Sequence, residues 1–90
     1  MYQLQIHKSA QKSFQKSPKR IKEKVFECLQ YLILHGTQDL KFPIEPLQGK
    51  FKKFHYFEIK LDKDYRIFFR REGNQFFIRQ AGTHNSLGTG

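Results

Sequence analysis

Between Gly49 and His84 the chain carries three runs of aromatic and β-branched residues. Two short polar turns, Asp62-Lys63-Asp64 and Glu72-Gly73-Asn74, separate them. Such spacing predicts a three-stranded antiparallel meander. Successive strand residues point to opposite faces, so the side chains can be sorted. In the first run Phe57, Ile59 and Leu61 share one face, and Tyr56, Glu58 and Lys60 share the other. In the second, Tyr65, Ile67 and Phe69 lie opposite Arg66, Phe68 and Arg70. One side of the sheet is therefore expected to be a core. The other is expected to carry lysine, arginine and one glutamate, with tyrosine and phenylalanine among them. The third run leaves its parity open, because Phe76 and Ile78 oppose Phe77 and Arg79.

The remaining segments supply the packing for that core. Tyr2 to His7 alternates as a short strand with Tyr2, Leu4 and Ile6 inward. Ser9 is a suitable N-cap for a helix through Ser17, with Ala10 and Phe14 on its buried stripe. Ser17-Pro18 reads as a second helix start, with serine at the cap and proline at the first position. Ile21, Val25, Cys28, Leu29 and Leu32 then recur at helical spacing, flanked by Phe26 and Ile33. Lys19, Arg20, Lys22, Glu23, Lys24 and Glu27 are expected on a solvated face. Gly36 stands where a left-handed C-cap belongs. Thr37 to Gln48 reads as a loop whose Leu40, Phe42, Ile44 and Leu47 tuck under the sheet edge. The expected fold is α+β, in the order β-α-α-β-β-β. It has a four-stranded, mostly antiparallel sheet with two helices on one face, in a single domain over residues 1–90.

Charge narrows the partners. The net charge is +9, and between Lys50 and Arg71 eight Lys/Arg face three acids. A cationic surface on a folded scaffold suits nucleic acid, an acidic protein or anionic lipid. Cys28 is the single cysteine, so neither a disulfide framework nor a thiolate metal site is expected, nor any cofactor. No apolar run approaches the roughly 20 residues of a membrane span, and a cytoplasmic, reducing location is expected.

Templates for phosphate loops, serine elbows and zinc helices are absent. What remains is Glu58, Lys60, Arg66, Arg70 and His84. On a meander these groups converge within about 5 to 10 Å, given strand spacing near 4.8 Å. A carboxylate among cations can act as a general base, and a histidine as a general acid. Cations around a common point would stabilise a pentavalent phosphate transition state. The set suits metal-free RNA cleavage by 2′-hydroxyl attack. Spacing alone slightly favours a plainer arrangement, a cross-strand ion pair between Glu58 and Arg66 or Arg70 with His84 a polar residue at a frayed end.

Five short motifs in order resemble the RelE/ParE superfamily of bacterial toxins from toxin–antitoxin pairs. They are His7-Lys8-Ser9-Ala10-x-Lys12-x-Phe14, Leu47-x-Gly49, Phe57-Glu58-Ile59, Tyr65-Arg66-Ile67-Phe68-Phe69 and Gly82-Thr83-His84-x-x-Leu87. The last is most similar to the YafQ-like branch. The resemblance implies a ribosome-dependent endoribonuclease that cuts mRNA in the A site and is held inactive by an acidic cognate antitoxin. It puts Arg66 on the scissile phosphate and His84 at the C-terminal catalytic position. Lys60 falls where RelE has a lysine, and Asp62 at an acidic position of the YafQ-like branch. Glu58 is the expected base. Lys50, Phe51, Lys52, Lys53, Phe54, Tyr56, Phe68 and Arg70 would hold RNA phosphates and bases. Two departures stand out: Glu58 replaces a histidine or lysine, and no aromatic follows His84 to stack on a base. Two alternatives follow. One is a ParE-like inhibitor that binds DNA gyrase; the other is a relative with impaired chemistry that binds nucleic acid or antitoxin.

Overall fold

Alternation along the long strands decides which side of the sheet is dry. The computed structural model describes residues 1–49, 54–83 and 87. In chain order its elements are β1 (Gln3–Ile6), α1 (Lys8–Lys16), α2 (Lys19–His35), β2 (Ile44–Pro46), β3 (Phe57–Lys60), β4 (Tyr65–Glu72) and β5 (Gln75–Thr83). The sheet runs β1-β5-β4-β3-β2, with β1 parallel to β5 and the other pairs antiparallel. The expected meander is β3-β4-β5.

Five strands form where four were expected. Ile44–Pro46 pairs with β3, so a segment read as loop is an edge strand. The Lys60 amide donates to the Pro43 carbonyl and the Leu47 amide to the Tyr56 carbonyl, extending the ladder at both ends. Three residues are too few to show a period, and an edge strand is where proline is tolerated.

Ile59, Ile67, Phe76 and Ile78 are almost wholly buried and pack with Ala10, Ile21, Val25, Cys28 and Leu32 from the helices. Phe42, just before β2, joins this cluster, and Leu47, just after it, is also buried. Burial pushes the Cys28 thiol up to about 12, with Glu27 adding to the effect, so it stays a neutral apolar filler. The open parity of β5 is settled by a bulge. Ile78 pairs with Phe69 and Gln80 with Phe68, leaving Arg79 as the extra residue. Phe76 and Ile78 face the core before it, and Ala81 after it.

α1 starts two residues before its expected position and α2 one residue after. His7, not Ser9, caps α1, its Nδ1 accepting the Ser9 amide at 3.1 Å. Ser17 turns its hydroxyl back to the Phe14 carbonyl at 2.6 Å, and Pro18 becomes the cap of α2. Gly36 ends α2 with φ 66°, and a Cβ there would meet the Tyr2 ring at 2.8 Å. Only glycine satisfies both the backbone and the ring. The cationic first turn of α2 is not simply solvated. Arg20 and Lys24 pair with Asp62 on the β3–β4 turn, which ties the helix layer to the sheet. Among the described residues no helix is long and apolar enough to cross a membrane.

Candidate active site on the open sheet face

The face of the sheet away from the helices is built by register. Lys60 pairs with Arg66 and Glu58 with Phe68 across β3 and β4, while Glu45 pairs with Glu58 across β2 and β3. Like charges thus stand directly opposite one another, an arrangement that disfavours folding unless diagonal partners relieve it. They do. Lys60 Nζ lies 3.1 Å from Glu45 Oε2, and Arg66 Nε lies 3.4 Å from Glu58 Oε1. Of the five residues expected to converge, Glu58, Lys60 and Arg66 do so, Arg70 stands about 13 Å along β4 from Arg66, and His84 lies outside the described residues. Glu45 joins the first three.

The Glu58–Arg66 pair is the more enclosed of the two, with side chains 15% and 11% exposed. Its geometry is incomplete. Arg66 Nη1 donates to the Asp62 carbonyl at 2.8 Å and the Lys63 carbonyl at 3.3 Å, so the guanidinium bridges the β3–β4 turn. Arg66 Nε is buried and, despite its distance to Glu58, has no hydrogen-bond partner. An unmet N–H on a charged group costs about 1–3 kcal/mol or more. Gly82, with φ 151°, is the cross-strand partner of Arg66 on β5 and offers no side chain to satisfy it.

Asp62 works on both layers. Its carbonyl holds Arg66, while its carboxylate takes Arg20, Lys24 and the Lys63 amide at 2.7 Å. The Arg20 hydrogen bond, helped by that amide and by Lys24, holds the Asp62 carboxyl at about 2.

The remaining candidates divide. Phe54 is 52% exposed, and Tyr56 is half-buried beside Arg70. Phe68 points to this face yet is only 1% exposed, so its ring presents no free platform. Arg70 lies over the Phe77 ring at 4.6 Å and pairs with Glu72 at 2.8 Å. Contacts to Glu72 and then Tyr56 raise its already high pKa. His84, Lys50, Phe51, Lys52 and Lys53 lie outside the described residues. Among the described residues no three His, Cys, Asp or Glu side chains cluster as a metal site would require.

Two contributors escaped the sequence. Glu45 had no signal beyond an Ile-Glu-Pro alternation too short to trust. Arg79 is aimed by a bulge that spacing alone does not reveal.

No family model matches the chain, and no curated protein does. Solved structures do match. A RelB–RelE antitoxin–toxin complex from Methanococcus jannaschii superposes with TM-score 0.77 at 18% identity, over 92% of this chain and 93% of that one. YafQ from Escherichia coli BL21(DE3) gives 0.75 at 18% identity, over 97% and 98%. A DinJ–YafQ complex from E. coli gives 0.73 at 19% identity, over 97% and 98%. With near-complete coverage in both directions, the fold of this chain is that of the RelE and YafQ toxins.

Proposed function

We propose that this protein is the toxin of a toxin–antitoxin pair and an endoribonuclease that cuts mRNA on the ribosome. The observation carrying this reading is the enclosed Glu58–Arg66 pair, with its unmet Nε–H and with Lys60 alongside. A carboxylate and two cations share one patch of an otherwise open sheet face. Unsatisfied buried polar atoms and stored strain collect at functional sites. Likeness to toxins solved alone and with RelB or DinJ supports the toxin role and an antitoxin partner, and the net charge of +9 suits an acidic one.

In the proposed reaction Glu58 accepts the proton of the 2′-hydroxyl, whose oxygen attacks the adjacent phosphorus. Arg66 and Lys60 stabilise the charge on the pentavalent oxygens. His84 protonates the departing 5′-oxygen. The bond formed is 2′-O–P and the bond broken is P–O5′. The products are a 2′,3′-cyclic phosphate and a 5′-hydroxyl. Thr83, which precedes His84, pairs with Tyr65, the neighbour of Arg66, and that supports a role for the histidine at this end of the sheet.

Growth of cells expressing Arg66→Ala or His84→Ala tests this, with toeprinting of translated mRNA. Both variants are expected to grow and to leave mRNA uncut; toxicity surviving both removes the site. A second reading, binding without chemistry, is favoured by the commitment of Arg66 to the Asp62 and Lys63 carbonyls. Inhibition of gyrase supercoiling by the wild type, with mRNA intact, would establish it.

A further inference from the structure

A second cationic cleft opens on the same sheet face. It lies toward the other end of β4 and is bounded by Gln5, His7, Tyr56, Arg70, Phe77 and Arg79. Four residues of strand separate Arg66 from Arg70, about 13 Å at 3.3 Å per residue. Arg70 is therefore out of contact with Arg66, and the cleft, whose Tyr56 and Arg70 lie two residues along the chain from Glu58 and its partner Phe68, adjoins the Glu58–Arg66 pair without sharing a side chain with it.

Its construction is specific. Arg79 is the residue that the β5 bulge inserts, and bulges re-aim side chains. Here the guanidinium is brought to the start of α1, with Nη1 3.2 Å from His7 Nδ1 and 3.3 Å from Ser9 Oγ. Ser9 Oγ in turn donates to the Arg79 carbonyl at 3.0 Å, fixing the bulge to the helix. The first turn of α1 holds no acid, so its positive dipole end adds to the guanidinium. Among the described residues no carboxylate pairs with Arg79. Arg70 approaches from the neighbouring strand, stacked on Phe77. Its partner Glu72 is 62% exposed, and an exposed ion pair is worth about 0–1 kcal/mol. An RNA phosphodiester, which carries the same single charge, can take its place on the guanidinium.

Size sets the ligand. The cleft holds about 230 Å³. At roughly 30 Å³ per water that is room for seven or eight waters, below the roughly 300 Å³ where self-standing ligand pockets begin. One phosphate fits, with part of its sugar against Tyr56 or Phe77. A whole cofactor does not.

We propose that Arg70 and Arg79 form a second phosphate subsite, which holds the backbone of single-stranded RNA beside the nucleotide that is cut. The subsite rests on the nuclease reading for its biological meaning, but its occupancy can be measured without the ribosome or cleavage.

The probe is a fluorescein-labelled, fully 2′-O-methylated RNA oligomer, which cannot undergo 2′-attack. Its binding to the full chain is followed by anisotropy across a salt series. One phosphate contact contributes about 0.7 to the slope of log affinity against log salt on a single strand. The double variant Arg70→Gln/Arg79→Gln is expected to lose that increment. Arg70→Lys/Arg79→Lys is expected to keep it while binding more weakly, because the fork geometry is lost. Circular dichroism confirms that each variant is folded. Equal slopes in the wild type and the glutamine variant overturn the subsite, as does a lysine variant that fails to restore the slope. Unchanged RNA binding, with loss of affinity for a glutamate-rich peptide, would assign the cleft to a protein partner and overturn it too. None of these outcomes depends on whether mRNA is cut, so failure of the nuclease reading is read separately.

Discussion

The two faces of this sheet are made by the same strands and obey different rules. On the helix side, Ile59 and Ile67 have no measurable exposure and Ile78 is 1% exposed. Each such side chain contributes about 1.5–3 kcal/mol by leaving water. On the open side, Glu45 stands opposite Glu58 and Lys60 opposite Arg66, and only the diagonal pairs Lys60–Glu45 and Arg66–Glu58 offset the like charges. The exposed Lys60–Glu45 pair contributes about 0–1 kcal/mol, and the enclosed Glu58–Arg66 pair, costly to desolvate, leaves an N–H unmet. The dry face holds the molecule together. The charged face contributes little to stability and presents groups that an anion can recruit.

Adjacent residues on β4 put that contrast to the hardest test. Ile67→Ala is expected to cost about 2–5 kcal/mol, read as a lower urea midpoint at unchanged slope. Arg66→Ala, one residue away on the other face, is expected to lower mRNA cleavage by about 10²–10³-fold. Its loss of stability should be smaller than that of Ile67→Ala. If the two variants unfold at the same midpoint, the Arg66 pair is a structural element and the division between faces fails.

The dry face was readable in advance because alternation alone assigns it. Phe57, Ile59, Leu61, Tyr65, Ile67 and Phe69 were sorted by parity, and all contribute to the interior. The helical stripe of α2 followed from its 3.6-residue period for the same reason. The charged face was readable only in membership. Glu58, Lys60 and Arg66 were placed on it, but their partners depend on register, and register here is set by two features without a periodic signature. One is the three-residue strand that brings Glu45 opposite Glu58. The other is the bulge that aims Arg79. Phe68 shows the limit of parity most plainly, since it lies on the open face and is nonetheless buried. His84 falls outside the described residues, so its part in the site rests on the resemblance and on the position of Thr83.

Glu45 offers a finer probe of the open face. Lys60 and Glu45 are 34% and 57% exposed, so Glu45→Gln should change stability by no more than about 1 kcal/mol. The carboxylate competes with a phosphate for Lys60, so cleavage in the variant should stand at or above that of the wild type. A loss as deep as that of Arg66→Ala would mean that Glu45 orients Lys60, and the four charged residues would then be a working unit.

The smallest effect is expected where the faces meet. Asp62 reaches the helix layer through its carboxylate and the charged face through its carbonyl. Its folded pKa of about 2 lies below its ordinary 3.8, so the folded chain holds the ionised form more strongly than the unfolded chain does. The resulting stability is fully present above 3.8 and is lost as the pH falls through about 2. The carboxylate remains in contact with solvent and its partners are screened by salt, so the contribution is modest and shrinks at high ionic strength. Asp62→Asn keeps the backbone carbonyl that holds Arg66 and removes the titrating group. Thermal midpoints of the two proteins should differ near neutral pH in low salt and converge as the pH drops through that window. A gap that persists at the acid end would show that the amide disturbs the turn itself, and the link between the layers would then be one of geometry, not charge.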